Sequence, residues 1–287
     1  MDVKTLMKKI INYMRGKRIV YVHDVSRPYE LQVVKRDRFK EQVAVVTGAS
    51  GVIGRAIAYR LAAEGALVYA CGTNAEKLGS VVSEINGDGF SAKPCAFNLL
   101  EESSIVEAFE KIKTETGKID LLVCCAGGGA RGDKKPFVEQ EIKVIDSILN
   151  VNLRGAMICS RECLKVMTNV GTGKIVLISS SIGERGLAEY SEYAAAKAGV
   201  IAFMQSLAME YGKNGIRVNC VSPGIVERGC IDDIKMERIR KTNWLGDYGK
   251  PEDIANMVAY LNSDEASFIT GQNFIVDGGR SLGLKGA

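Results

Sequence analysis

Val43-Ala-Val-Val-Thr47-Gly-Ala-Ser-Gly-Val-Ile-Gly54-Arg-Ala-Ile-Ala-Tyr-Arg-Leu-Ala-Ala-Glu64 is the stretch on which the fold turns. Its first five residues are apolar or β-branched and read as a buried strand, three glycines follow within seven positions, and Arg55–Glu64 has helical spacing with no breaker. Strand, glycine turn, helix is the order in which a backbone can approach a pyrophosphate, whose charge then rests on the positive helix N-terminus. A lone glycine turn also serves ordinary strand–helix packing. Its position behind the first strand of the body gives it weight.

Outward from this unit the pattern repeats. Leu67–Cys71, Leu121–Cys125, Ile175–Ser179, Arg217–Val221 and Asn273–Val276 read as further strands, separated by segments with helical spacing such as Ala194–Tyr211. Strands alternating with helices imply a parallel sheet covered on both faces. The expected fold class is α/β: one doubly wound Rossmann-type domain over residues 39–287, with a mostly parallel sheet, helices on both faces and an N-terminal arm over 1–38.

The arm differs from the body in charge. Residues 1–40 hold eleven Lys and Arg against four Asp and Glu, a net of +7, whereas the whole chain of 287 residues carries +4. Val3, Leu6, Met7, Ile10, Ile11 and Met14 recur at helical spacing, and Arg18–His23 reads as a short strand. The apolar stripe is short and lacks Trp and Phe, so packing on the body or on a sister subunit is expected rather than a membrane or nucleic-acid contact.

Composition narrows the chemistry. With 46% apolar and 25% charged residues the chain is ordinary globular material. Its eight cysteines form no Cys-x-x-Cys pair, and the adjoining Cys124 and Cys125 would point to opposite faces of a strand, so they read as reduced thiols. His23 is the only histidine, which disfavours a catalytic zinc site. No apolar run approaches the roughly 18 residues of a membrane span, and no signal-peptide pattern opens the chain. The expected location is the cytoplasm.

Tyr193-Ala-Ala-Ala-Lys197 sets two side chains at i and i+4, on one helical face. A free tyrosine titrates near ~10, and an ammonium beside it would favour the phenolate and make proton exchange easier. Alone, such a pair occurs on many solvated helices. After the second strand, Cys71-Gly-Thr-Asn-Ala75 offers no carboxylate for the ribose hydroxyls of NAD; a 2′-phosphate would meet no repulsion there, and Thr73 and Asn74 could hydrogen-bond it. NADP(H) is therefore favoured over NAD(H), with Arg55 as a candidate phosphate partner.

These motifs together resemble the short-chain dehydrogenase/reductase family, in particular members similar to 3-oxoacyl-acyl-carrier-protein reductase and gluconate 5-dehydrogenase. The resemblance runs in order from Phe39 to Ser281 through Gly215-Ile-Arg-Val-Asn-Cys-Val-Ser-Pro-Gly224, Pro251-Glu-Asp-Ile-Ala255, Ile269-Thr-Gly-Gln272 and Val276-Asp-Gly-Gly279. It implies a catalytic set of Ser180, Tyr193, Lys197 and Asn152, with Ser180 thirteen residues before the tyrosine and Asn152 holding a proton-relay water. It also implies a cofactor site of Gly48, Ser50, Gly51, Val52, Ile53, Gly54, Thr73, Asn74, Asn98, Leu99, Ala126, Gly127, Pro223, Gly224 and Ile225, together with Tyr193 and Lys197, and no metal.

The chain departs from the family pattern in three places. Val52 replaces the middle glycine of Thr-Gly-x-x-x-Gly-x-Gly, where a positive φ would strain it; Cys124-Cys-Ala-Gly127 replaces Asn-Asn-Ala-Gly; and Ile225 stands where a threonine often meets the nicotinamide carboxamide. Ser179 and Ser181 flank Ser180, and Tyr190 and Asn150 compete with Tyr193 and Asn152. The expected activity is hydride transfer between a nicotinamide cofactor and a ketone or secondary alcohol, with Tyr193 as general acid and base. Candidate substrates are a 3-oxoacyl thioester, a keto-sugar or a sugar acid; Arg228, Arg238, Arg240 and Lys241 read first as a solvated charge run, though they could attract an anion. The alternative is an inactive nucleotide-binding regulatory or scaffolding protein on the same fold. A homotetramer or homodimer is expected.

Overall fold

A computed structural model describes residues 18–20, 29–31, 37–128, 135–229 and 231–283. The amphipathic helix expected over residues 3–14 lies outside them. Of the strand expected at 18–23, β1 (Arg18–Val20) is described, paired antiparallel with β2 (Tyr29–Leu31).

The body is a seven-stranded parallel sheet in the order β5-β4-β3-β6-β7-β8-β9. Its strands are β3 (Val43–Thr47), β4 (Leu67–Gly72), β5 (Ser91–Ala96), β6 (Leu121–Cys124), β7 (Gly173–Ile178), β8 (Ile216–Pro223) and β9 (Asn273–Val276). Parallel neighbours need long crossovers, and helices supply them. The helices are α1 (Val52–Ala63), α2 (Ala75–Gly87), α3 (Glu102–Thr116), α4 (Ile142–Leu149), α5 (Gly155–Val170), α6 (Ser181–Arg185), α7 (Ser191–Tyr211), α8 (Asp233–Arg240) and α9 (Pro251–Asn262).

The period-2 alternation of a strand divides the core in two. Ala44 and Val46 face one side with Ile57, Leu61, Leu78, Ile85 and Val258 of α1, α2 and α9. Val43 and Val45 face the other with Ile105, Phe109, Met167, Val200 and Met204 of α3, α5 and α7. The adjoining cysteines divide in the same way: Cys124 belongs to the second core, and Cys125 packs against the first.

Strand β5 has no place in the sequence reading. Ser-Ala-Lys-Pro-Cys-Ala carries a proline and buries only two residues, because it is an edge strand; there Pro94 needs no ladder donor on its open side. In the middle of the sheet, between β3 and β6, the strand order reverses, and at such a switch point an open α/β sheet leaves a crevice beyond its strand ends.

Candidate active site

The glycine turn lies at that switch point. Gly48 has φ +69°, and a Cβ there would stand 2.7 Å from the Ala126 backbone, so only glycine lets β3 turn against the end of β6. Gly54 presses still closer: its absent Cβ would lie 2.1 Å from the Gly48 carbonyl oxygen. Val52 needs no special conformation. It is the first residue of α1, behind the extended N-cap Gly51, so the strain expected of a valine at that position does not arise. Gly51 has no capping side chain and the first turn of α1 has no carboxylate, which leaves the end of the helix suited to an anion.

Where the family pattern has two asparagines, Thr47 makes the connection. Its hydroxyl accepts the Cys125 and Ala126 N–H groups, both at 3.1 Å, and ties the ends of β3 and β6 together. Ser50 comes close to Gly72 at the end of β4. Leu99 packs against Gly155, the first residue of α5. Gly224 lies so close to Asp277 that a Cβ would meet its Cα at 2.7 Å, and Pro223 closes β8. The expected cofactor residues thus gather at the C-terminal ends of β3, β4, β5, β6 and β8.

Several side chains are otherwise engaged. Asn74 is the N-cap of α2 and accepts the Lys77 N–H at 2.8 Å, while Thr73 remains exposed. The first carboxylate after β4 is Glu76, exposed in the first turn of that helix. Arg55 pairs with Glu84 and clips α1 to α2, so it is not a free partner for a 2′-phosphate. Asn98 caps its own loop: its amide oxygen accepts the Leu100 N–H at 3.1 Å and its amide donates to Glu101 at 2.8 Å. The Ile225 carbonyl accepts the Gly249 N–H at 3.0 Å, and its side chain packs with Ile231, Met236 and Ile239.

Across the crevice, Lys197 is buried and its Nζ donates to the Ile178 carbonyl at 3.0 Å, 5.7 Å from the centre of the Tyr193 ring. Burial pushes its ammonium below the ordinary lysine value, partly offset by the thiols of Cys125, Cys220 and Cys124. Ser179 donates to the Lys197 carbonyl at 2.8 Å and is thereby committed to α7, whereas Ser180 caps α6 by accepting the Ile182 N–H at 3.3 Å. Of these two adjoining serines, Ser179 thus spends its O–H on α7, whereas Ser180 acts as an acceptor. Tyr190 packs with Tyr193 against Ile148 and Ala196.

Asn152 sits in a π-helical turn, Asn150–Arg154, between α4 and α5. Its amide oxygen accepts the Gly128 N–H at 2.9 Å, and its amide nitrogen donates to the carbonyls of Gly128 and Ile148. The side chain therefore binds the end of β6 to the widened turn. A Cβ on Gly127 would fall 2.5 Å from Asn152 Oδ1 and 3.0 Å from Lys197 Nζ, which shows how closely the three meet. The sequence reading passed over one buried pair beside the tyrosine, Gln140 donating to Glu192 at 2.9 Å. A carboxylate next to Tyr193 on a half-buried helix was the available signal.

A family model described as enoyl-(acyl carrier protein) reductase matches residues 48–281. The chain belongs to the short-chain dehydrogenase/reductase family. It is 38% identical to the 3-oxoacyl-[acyl-carrier-protein] reductase FabG of Rickettsia bellii, covering 83% of this chain and 96% of the relative. It is 35% identical to the cis-4-hydroxycyclohexanecarboxylate dehydrogenase of Sinomonas cyclohexanicum, over 85% and 98%. Among solved structures it resembles a single-residue variant of the actinorhodin polyketide ketoreductase with NADPH, with a TM-score of 0.79 and 30% identity, over 84% of this chain and 97% of that one. It is thus an oxidoreductase of this family. No helix among the described residues is long and apolar enough to cross a membrane.

Proposed function

We propose that this short-chain dehydrogenase/reductase interconverts a ketone and a secondary alcohol with NADP(H), using Tyr193, Ser180, Lys197 and Asn152. The observation that carries the reading is the buried Lys197 beside the Tyr193 ring, at the same end of the sheet as a glycine turn that leaves a helix N-terminus open. The bound nicotinamide supplies or accepts the hydride. Tyr193 donates its proton to the carbonyl oxygen in reduction and takes it back in oxidation. Ser180 hydrogen-bonds the same oxygen, where negative charge develops. Lys197 holds positive charge near the phenol, and its bond to Ile178 fixes where that charge sits.

Asn152 acts chiefly as a positioning residue, since its side chain is bonded to Gly128 and Ile148. The preference for NADP(H) rests on the absence of a carboxylate across residues 71–75; Thr73 and the α2 N-terminus, rather than Arg55, are the groups that would meet the phosphate. The substrate classes remain a 3-oxoacyl thioester, a keto-sugar or a sugar acid; the names of the two relatives point to the first and to a hydroxy carboxylic acid.

Seven free thiols among the described cysteines fit a reducing compartment such as the cytoplasm. Exposed Met157 on α5 and Met209 on α7, together with Phe268, fit an interface of a homodimer or homotetramer.

The test is consumption of NADPH and NADH with a panel of 3-oxoacyl thioesters, keto-sugars, keto-acids and steroids. Turnover with at least one ketone, faster with NADPH, is expected. No turnover despite tight nucleotide binding would favour a regulatory or scaffolding protein. A lower KM for NADH than for NADPH would overturn the cofactor preference.

A further inference from the structure

Beyond Ser180 a cavity of about 480 Å³ opens between α6, the segment after α8 and the residues that follow β9. That volume suits a small metabolite. It lies at the ends of β7 and β9, whereas the glycine turn lies between β3 and β6. Ile182, Arg185, Leu187, Lys241, Trp244 and Arg280 are among the residues that line it. No carboxylate among the described residues lines it.

The three cations differ. Lys241 is exposed and paired with Glu237 at 3.2 Å. Arg185 and Arg280 have no ion-pair partner among the described residues, although most other described arginines do. Arg280 is moreover partly buried, and the carboxylate nearest to it in sequence, Asp277, is used up by the N–H groups of Gly279 and Ser281. Two unpaired guanidinium forks lining one cavity attract an oxyanion, because each can donate two parallel hydrogen bonds to it. Leu187 and the half-exposed Trp244 line the same cavity and offer apolar surface to a carbon skeleton.

We infer that the cavity is an anion subsite of the substrate pocket, and that the substrate is a ketone or secondary alcohol bearing a carboxylate or phosphate away from the reacting carbon. The inference rests on the ketone-reductase reading for the placement of the reacting carbon at Ser180 and Tyr193. The anion site itself can be read without catalysis, because Trp244 is the single tryptophan of the chain.

The full-length protein is titrated with 4-oxocyclohexanecarboxylate and its methyl ester, and with dihydroxyacetone phosphate and dihydroxyacetone, following tryptophan emission without nucleotide. At least one charged ketone is expected to bind about tenfold more tightly than its neutral counterpart, the loss expected when a charge-assisted pair is absent. Which of the two does so separates carboxylate from phosphate. Arg185→Gln, at an exposed position that the fold does not need, and Arg280→Gln should each weaken the charged probe, and the acid-over-ester ratio of kcat/KM should fall about tenfold in the double variant. Equal binding of charged and neutral probes, or binding indifferent to both substitutions, would overturn the inference. Charge-selective binding with no turnover of any ketone would support the anion site and remove the reductase reading.

Discussion

Ser179 and Ser180 are neighbours in the chain with separate tasks. The buried Ser179 hydroxyl holds the Lys197 carbonyl, while Ser180 caps α6 and is the serine proposed to meet the substrate. Ser179→Ala should therefore lower stability by about 1 kcal/mol, seen as a lower Tm. Ser180→Ala removes the cap of α6 and should lower Tm by a similar amount, but it alone should lower kcat/KM at a temperature where both variants are folded; an equal loss of kcat/KM in both would refute the division. Tyr193→Phe should lower kcat by about 10²- to 10⁴-fold, the usual contribution of a positioned acid, while NADPH binding by fluorescence stays nearly intact. Unchanged turnover would identify another group as the acid. At this scale spacing singled out the Tyr193–Lys197 pair, and the family resemblance added Ser180 as its expected partner. The sequence could not show that Asn98 and Asn74 bind their own backbone, because which hydrogen bond an amide makes depends on neighbours the spacing does not reveal.

The glycine turn shows what a local pattern conveys and where it misleads. Gly48 and Gly54 are needed because two backbone segments touch, and the pattern marked both. Val52, which the pattern marked as a strained departure, begins a helix. Gly54→Ala should force α1 away from the turn, since its Cβ would meet the Gly48 oxygen at 2.1 Å; a lower Tm and weaker nucleotide binding are expected together. Val52→Gly should leave nucleotide affinity unchanged and cost up to about 1 kcal/mol in denaturant unfolding. Tighter nucleotide binding in that variant would show the valine to be a true defect. Edge strand β5 escaped notice because it buries only Ala92 and Cys95. The apolar residues after β8 divided in a way no helical periodicity specified: Ile231, Met236 and Ile239 close on one another, and Ile234 and Trp244 remain exposed.

Across the whole molecule, buried thiols couple stability to pH. Burial holds Cys125 and Cys220 up at about 12 against an ordinary 9.0, and it contributes to the raised values of Cys71, Cys159 and Cys163. In the unfolded chain these groups lose their protons as pH passes 9, while the folded chain retains them. Their contribution to stability is thus intact below pH 9 and is lost as pH rises towards 12. Lys197 and Cys95, both lowered, act in the opposite sense, but five raised groups outnumber them. Thermal unfolding should show a level Tm from pH 6 to 8 and a fall from pH 9 upward; a Tm that rises over that range would contradict the burial of the thiols. A chain lacking residues 1–36 retains Arg38, whose guanidinium pairs with the buried Glu64. If residues 1–36 contribute to the subunit interface, its mass by sedimentation should be that of a smaller assembly.

The sequence by itself determined the doubly wound parallel sheet and the glycine turn, because these depend on periodicity and short spacing that survive without coordinates; its motifs also carried the family resemblance that proposes Ser180, Tyr193 and Lys197 as the catalytic set. Only the tertiary structure decided which hydroxyl, amide or guanidinium is free. Arg55 is tied to Glu84, 29 residues away, whereas Arg185 and Arg280, 95 residues apart, line the walls of one cavity. A charge is available to a ligand only if no nearer partner neutralises it, and that is settled by contacts across the fold, which the order of residues does not contain.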